Sequence, residues 1–96
     1  MYIREIPNKI GKLIHLRYLN FSWSSFLEEL PEGVCELYNL QYLNLFHCKD
    51  LKKLPDGIGK LINLRSLNTG YCERLEYYPK GISKLTSLRE LTSVVA

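Results

Sequence analysis

LPDGIGKLINLRSLNTGYC, residues 54–72, holds one whole unit of the pattern that decides the fold. Its second half, LRSLNT, alternates apolar and polar residues as a short strand does, with Leu64, Leu67 and Thr69 on one side. Leu64 and Leu67 point to an interior, and Arg65, Ser66 and Asn68 stand on the outer side of the strand or beside it. The first half, LPDGIGKL, reads differently. Pro55 has its φ fixed by the ring and suits the first position of a short helical turn. Ile58 and Leu61 lie three apart and face inward from that turn, and Gly57 and Gly59 accommodate tight bends. With so few residues between strands, the turn is 3₁₀ or a single α turn.

Outward from this window, the same letters return every 24 residues. Leu16, Leu40, Leu64 and Leu88 form one column, and Leu19, Leu43, Leu67 and Leu91 a second. Leu13, Leu37, Leu61 and Leu85 form a third, and Pro7, Pro31, Pro55 and Pro79 a fourth, all without a gap. A fixed period of roughly 20–29 residues on L-x-x-L-x-L is the signature of a leucine-rich-repeat solenoid. The expected fold is an α/β right-handed coil of about four repeats. A parallel sheet lines its concave face, with strands near 16–21, 40–45, 64–69 and 88–93, and short helical or 3₁₀ turns line its convex face. One coil has no core of its own, so its leucines are buried only by the coils above and below. Such solenoids present long surfaces to partners, so the default role is binding rather than catalysis.

Composition bounds the rest. At 96 residues the chain is one repeat domain, residues 1–96, with ordinary apolar and charged content. The net charge of +3 is small and spread along the chain, which gives no reason to expect nucleic acid. No stretch approaches the roughly 18 apolar residues of a membrane span. MYIREIPNKI lacks the apolar core of a signal peptide. Three cysteines, Cys35, Cys48 and Cys72, without C-x-x-C fit reduced thiols in a cytosolic or nuclear compartment better than a disulfide framework or a zinc site. The chain opens inside a repeat and ends at LTSVVA inside the expected fourth strand. It therefore reads as a fragment of a longer protein, or a truncated product whose Met1 is internal. Four coils without polar caps invite aggregation.

Several positions depart from the pattern. Phe21 and Leu45 share a column with Thr69 and Ser93. Tyr78 replaces the leucine found at Leu30 and Leu54, so its hydroxyl needs a partner or an exit to water. The ninth place from the first strand leucine holds Ser24, Cys48 and Cys72. Stacking puts Cys48 and Cys72 roughly 4.8 Å apart, within disulfide reach, but an inward ladder to the loop backbone satisfies both thiols without one.

Chemistry for catalysis is sparse. His15 and His47 are the two histidines, and His47 beside Cys48 suggests a thiol–imidazole pair. Neighbours on a strand point to opposite faces, so these two are not expected to meet. Lys60 follows Gly59 without the spacing of a phosphate-binding loop, and Glu28 and Glu29 read as solvated charge. Asn20-Phe21-Ser22 is a formal glycosylation sequon on a strand.

The outward columns are the better lead. One reads Arg17, Gln41, Arg65, Arg89, and the next reads Tyr18, Tyr42, Ser66, Glu90. A third reads Asn20, Asn44, Asn68, Thr92, and the loops beyond add Ser22 and Trp23, Phe46 and His47, and Gly70 and Tyr71. Exposed aromatics beside arginines are the residue types enriched at binding hot spots. The protein-binding candidates are therefore Arg17, Tyr18, Asn20, Trp23, Gln41, Tyr42, Asn44, Phe46, His47, Arg65, Asn68, Tyr71 and Arg89.

Three long phrases carry a family resemblance. IREIPNKIGKLIHLRYLNFS, LPEGVCELYNLQYLNLFHCKDLKKLP and DGIGKLINLRSLNTGYCERLEYYP resemble plant intracellular nucleotide-binding leucine-rich-repeat disease-resistance proteins. The likeness covers essentially the whole chain, and LRELTSVVA is like the start of the family's next irregular repeat. It implies a repeat domain that recognises a pathogen effector or a guarded host protein. It also implies an autoinhibitory contact with the nucleotide-binding domain of the same receptor. ADP and ATP would bind only in that parent domain, since this chain has no phosphate-binding loop and implies no cofactor of its own. An intracellular repeat scaffold of the Ras-binding type is the alternative, although its repeats run nearer 23 residues and are more uniform. A plant receptor-kinase ectodomain fits less well, because this chain has L-P where that group favours G-x-I-P. An enzyme is the most remote reading.

Overall fold

The computed structural model describes residues 3–93, so Met1 and the last three residues of LRELTSVVA lie outside the described residues. Four repeats wind into one coil, each a 3₁₀ turn followed by a strand. The turns are Asn8–Lys12, Glu32–Glu36, Asp56–Lys60 and Lys80–Lys84. The strands are β1 (Tyr18–Asn20), β2 (Tyr42–Asn44), β3 (Ser66–Asn68) and β4 (Glu90–Thr92). They form one parallel sheet in the order β1-β2-β3-β4, with Leu19, Leu43, Leu67 and Leu91 in register. Each strand is shorter than the six residues expected, but pairing runs past its ends. The Arg65 amide donates to the Gln41 carbonyl at 2.7 Å, and the Thr69 amide to the Thr92 carbonyl at 2.8 Å.

The core is one stack of leucines between sheet and turns. Leu37, Leu40, Leu43, Leu61, Leu64 and Leu67 of the two middle coils are fully buried, joined by Leu27, Leu51, Leu54 and Ile58. Burying each such side chain contributes about 1.5–3 kcal/mol. In the outer coils the same columns are only half-buried at Leu16, Leu19 and Leu88, because a coil covers them on one side alone.

Two details of the turns differ from expectation. Each proline sits at the cap rather than at the first helical position, extended at φ −65° and ψ 148° for Pro55, and its carbonyl takes the first 3₁₀ hydrogen bond from Ile58. The glycines adopt no positive φ and are not there for bends. They permit close approach between turns of successive coils. A Cβ on Gly33 would lie 1.9 Å from the Asn8 carbonyl oxygen, and one on Gly59 2.7 Å from that of Gly81. Beside them Asn39 and Asn63 donate to the carbonyls of Ile14 and Tyr38 one coil earlier, at 2.9 and 2.7 Å.

The departures in the third coil answer one another. Thr69 is buried in the column of Phe21 and Leu45, and its hydroxyl meets the Tyr78 hydroxyl at 2.7 Å and donates to the Thr92 carbonyl at 3.2 Å. The polar group that replaced one leucine is the partner of the polar group that replaced the other.

Candidate functional site

The sheet sets the geometry of the concave face, and the turn after each strand finishes it. In each of the first three coils an asparagine closes the strand. Asn20, Asn44 and Asn68 each accept, through Oδ1, the amide two residues on at 2.9 Å. This Asx turn reverses the chain. The asparagines lie on the concave face as expected, but their acceptor oxygens already belong to the backbone.

The next turn holds its third residue at positive φ. These residues are Trp23 (67°), His47 (62°) and Tyr71 (57°), and in each turn the following residue's amide returns to the carbonyl three back. Glycine usually occupies this place, because a Cβ in the left-handed region costs roughly 1–2 kcal/mol. Three large rings stand there instead, in one column. Trp23 and His47 stack at 4.2 Å between ring centres with a 17° tilt, and His47 and Tyr71 follow at 5.9 Å and 28°. Phe46 inserts edge-on between Trp23 and Tyr71, 5.6 Å from each. It has room because its column neighbours are Ser22 and Gly70, and a Cβ on Gly70 would meet the Phe46 ring at 3.0 Å. The sequence columns identified these rings but not their backbone strain. The recurring Asn four residues before a buried Ser or Cys was the available signal for the turn.

Nearer the middle of the sheet, Tyr18 and Tyr42 stack with centres 4.7 Å apart and planes 1° from parallel. Tyr18 is the most exposed large aromatic of the face, at 66%, and Trp23 follows at 48%. Arg17, Arg65 and Arg89 are exposed in the column just before the strands, and Gln41 is half-buried among them. The structure thus brings all the candidate residues onto one face: arginines at one border, tyrosines and asparagines in the middle, and the ring column at the other.

His47 and Cys48 part as expected. His47 belongs to the concave ring column, and its Nδ1 is buried without a hydrogen-bond partner. The Cys48 thiol points into the coil and donates to the Phe21 carbonyl at 3.1 Å, as the Cys72 thiol does to that of Leu45. Both are free thiols, as is Cys35. Burial pushes Cys72 up to about 11. Burial, reinforced by the Glu32 carboxylate, pushes Cys35 up to about 12. Neutral, buried thiols are inert rather than nucleophilic. Glu28 is exposed and pairs with Lys52 at 3.1 Å, a surface contact of little weight. Among the described residues no group of three or more His, Cys, Asp or Glu could hold a metal, and no helix is long and apolar enough to cross a membrane.

A family model described as "Leucine-rich repeat region" matches residues 5–96. No curated protein matches the chain. Among solved structures, a leucine-rich-repeat protein of Leptospira interrogans is similar at TM-score 0.65 and 29% identity over 97% of this chain. The leucine-rich-repeat domain of the type III effector XopL is similar in fold at TM-score 0.62 and 22% identity over 96% of this chain. The chain spans 30% of the first structure and 39% of the second.

Proposed function

The chain belongs to the leucine-rich-repeat family, and from that premise we propose that it recognises a protein partner on its concave sheet. One observation carries the reading: Trp23, His47 and Tyr71 hold their rings out in a backbone conformation that costs each of them stability. With Tyr18 and Tyr42 they make a rigid aromatic surface of the kind that anchors interfaces. Substituting Tyr18, Trp23 and Tyr71 by Ala tests it, with exposed Ile62→Ala, which lies outside the strand columns, as control. Protein or peptide binders selected on the wild-type chain are expected to weaken tenfold or more on the triple variant and not on the control. Binders indifferent to the triple variant and sensitive to Ile62 would move the interface elsewhere.

The finer reading is a plant intracellular immune receptor, in which this surface recognises a pathogen effector or a guarded host protein. It would also contact the receptor's own nucleotide-binding domain, where ADP and ATP would bind. The wording of the repeats supports it, from IPNKIGKL to LPDGIGKL. The similar solved structures are bacterial and bear on the architecture alone. This reading implies a cytoplasmic or nuclear setting, compatible with three buried free thiols. The full transcript decides it. An upstream nucleotide-binding domain is expected, whereas a signal peptide with a membrane span would replace it with a cell-surface receptor. A repeat array with neither would favour the Ras-binding scaffold.

A further inference from the structure

We propose that the segment received by the concave face is acidic. The inference rests on the recognition reading above and adds the chemistry of the partner. Arg17, Arg65 and Arg89 occupy one column immediately before β1, β3 and β4. Backbone hydrogen bonds fix that column, because the Arg17 carbonyl accepts the Gln41 and Tyr42 amides and the Arg65 carbonyl those of Arg89 and Glu90. Successive coils bring Arg65 and Arg89 about 5 Å apart at the backbone, with Arg17 two coils further on. Among the described residues the ion pairs are Lys52–Glu28 and Lys60–Glu36, and neither touches this column. The strand residues of the face carry a single carboxylate, Glu90.

Arg65 and Arg89 therefore stand on adjacent coils with Arg17 along the same border, all exposed and, among the described residues, without an ion pair. Like charges at this spacing on a sheet repel, and an incoming carboxylate relieves that while accepting a forked pair of N–H donors. The ring column at the opposite border supplies the apolar anchor. The partner segment thus carries Asp or Glu along one side and an apolar side chain on the other.

Nucleic acid also brings negative charge, but it fits less well. Binding of bases needs open aromatic faces. Here the rings cover one another, Tyr18 on Tyr42 at 4.7 Å and Trp23 on His47 at 4.2 Å. Tyr18 keeps an exposed ring, but three arginines at one border fall short of the continuous basic groove that tracks a nucleic-acid backbone.

The test is selection of short random peptides on the full chain. The best binders are then titrated against wild type, R65Q/R89Q, R65E/R89E and W23A/Y71A at low and high salt. A poly-dT oligonucleotide serves as a parallel probe, and all four proteins are compared by circular dichroism. Expected are binders rich in Asp and Glu that lose about tenfold or more on R65Q/R89Q and more on R65E/R89E, with affinity falling as salt rises. Neutral or basic binders that weaken only on W23A/Y71A would overturn the acidic partner and leave concave recognition standing. Binders indifferent to every variant, or an empty selection, would overturn both. Tighter binding of poly-dT than of any peptide would reassign the face to nucleic acid. A salt-sensitive dimer abolished by R65E/R89E would make the acidic partner a second copy of this chain.

Discussion

Thr69 and Tyr78 each interrupt a leucine column, and each makes the other tolerable. A hydroxyl in the core without a partner costs about 1–3 kcal/mol, so either substitution alone would weaken the third coil. Tyr78→Phe is expected to lower stability by about 0.5–1.5 kcal/mol, since Thr69 keeps its bond to the Thr92 carbonyl. Thr69→Val should cost a similar amount, and the double variant less than the sum. Urea unfolding of the three proteins measures this, and strict additivity would mean that the two hydroxyls do not interact. His47 poses a different balance. His47→Gly relieves roughly 1–2 kcal/mol of left-handed strain and loses stacking worth about 0.5–1.5, so its midpoint should stay close to wild type. His47→Val keeps the strain, adds a branched Cβ and loses the ring, so it should fall clearly below both. A Val variant as stable as the Gly variant would refute the positive φ as a source of strain.

At the scale of the element, the turn and the strand were legible to different depths. Period and alternation placed all four strands and all four turns, because burial of the aligned leucine columns forces that path. The role of the glycines was misread, since a sequence shows a missing side chain but not what approaches the gap. Gly33 sits against the Asn8 carbonyl of the neighbouring turn, and its amide donates to the Asn8 side-chain oxygen at 2.7 Å. Gly33→Ala is accordingly expected to cost about 3 kcal/mol or more, because backbone rather than a flexible side chain must yield. At Gly81 the nearest atom to a Cβ is 3.1 Å away, so Gly81→Ala should stay within about 1 kcal/mol, helped by a less flexible unfolded chain. Equal losses in thermal melts of the two variants would contradict close approach as the reason for glycine. The ring column was likewise half legible. Spacing aligned Trp23, His47 and Tyr71, and the Asn four residues before each buried Ser or Cys signalled a turn, but the positive φ that the following turn imposes on the rings is a backbone conformation that these large residues do not announce.

For the whole molecule, the middle coils hold the shared core, so damage there is felt by all. Leu64 is fully buried between coils, and Leu64→Ala should cost on the order of 2–5 kcal/mol in one cooperative transition. A midpoint left unchanged would show that the column is not interior. The same burial gives the molecule a pH limit. Cys35 is held up at about 12 and Cys72 at about 11, against roughly 8.5 for an exposed thiol. Between those values the unfolded chain has released protons that the folded chain retains. The unfolded state then binds fewer protons, and stability falls as pH rises, by about 1.4 kcal/mol per pH unit for each thiol. Below pH 8 both states keep these protons and the thiols contribute no slope. Urea midpoints from pH 7 to 10 should therefore be level at first and then decline. The decline should be shallower in Cys35→Ala, whatever that variant's own baseline stability. Thiol labelling offers the independent reading: all three cysteines should react with a maleimide only as fast as the chain opens. Rapid labelling of native protein at pH 7 would mean that the coil interior is not closed around them.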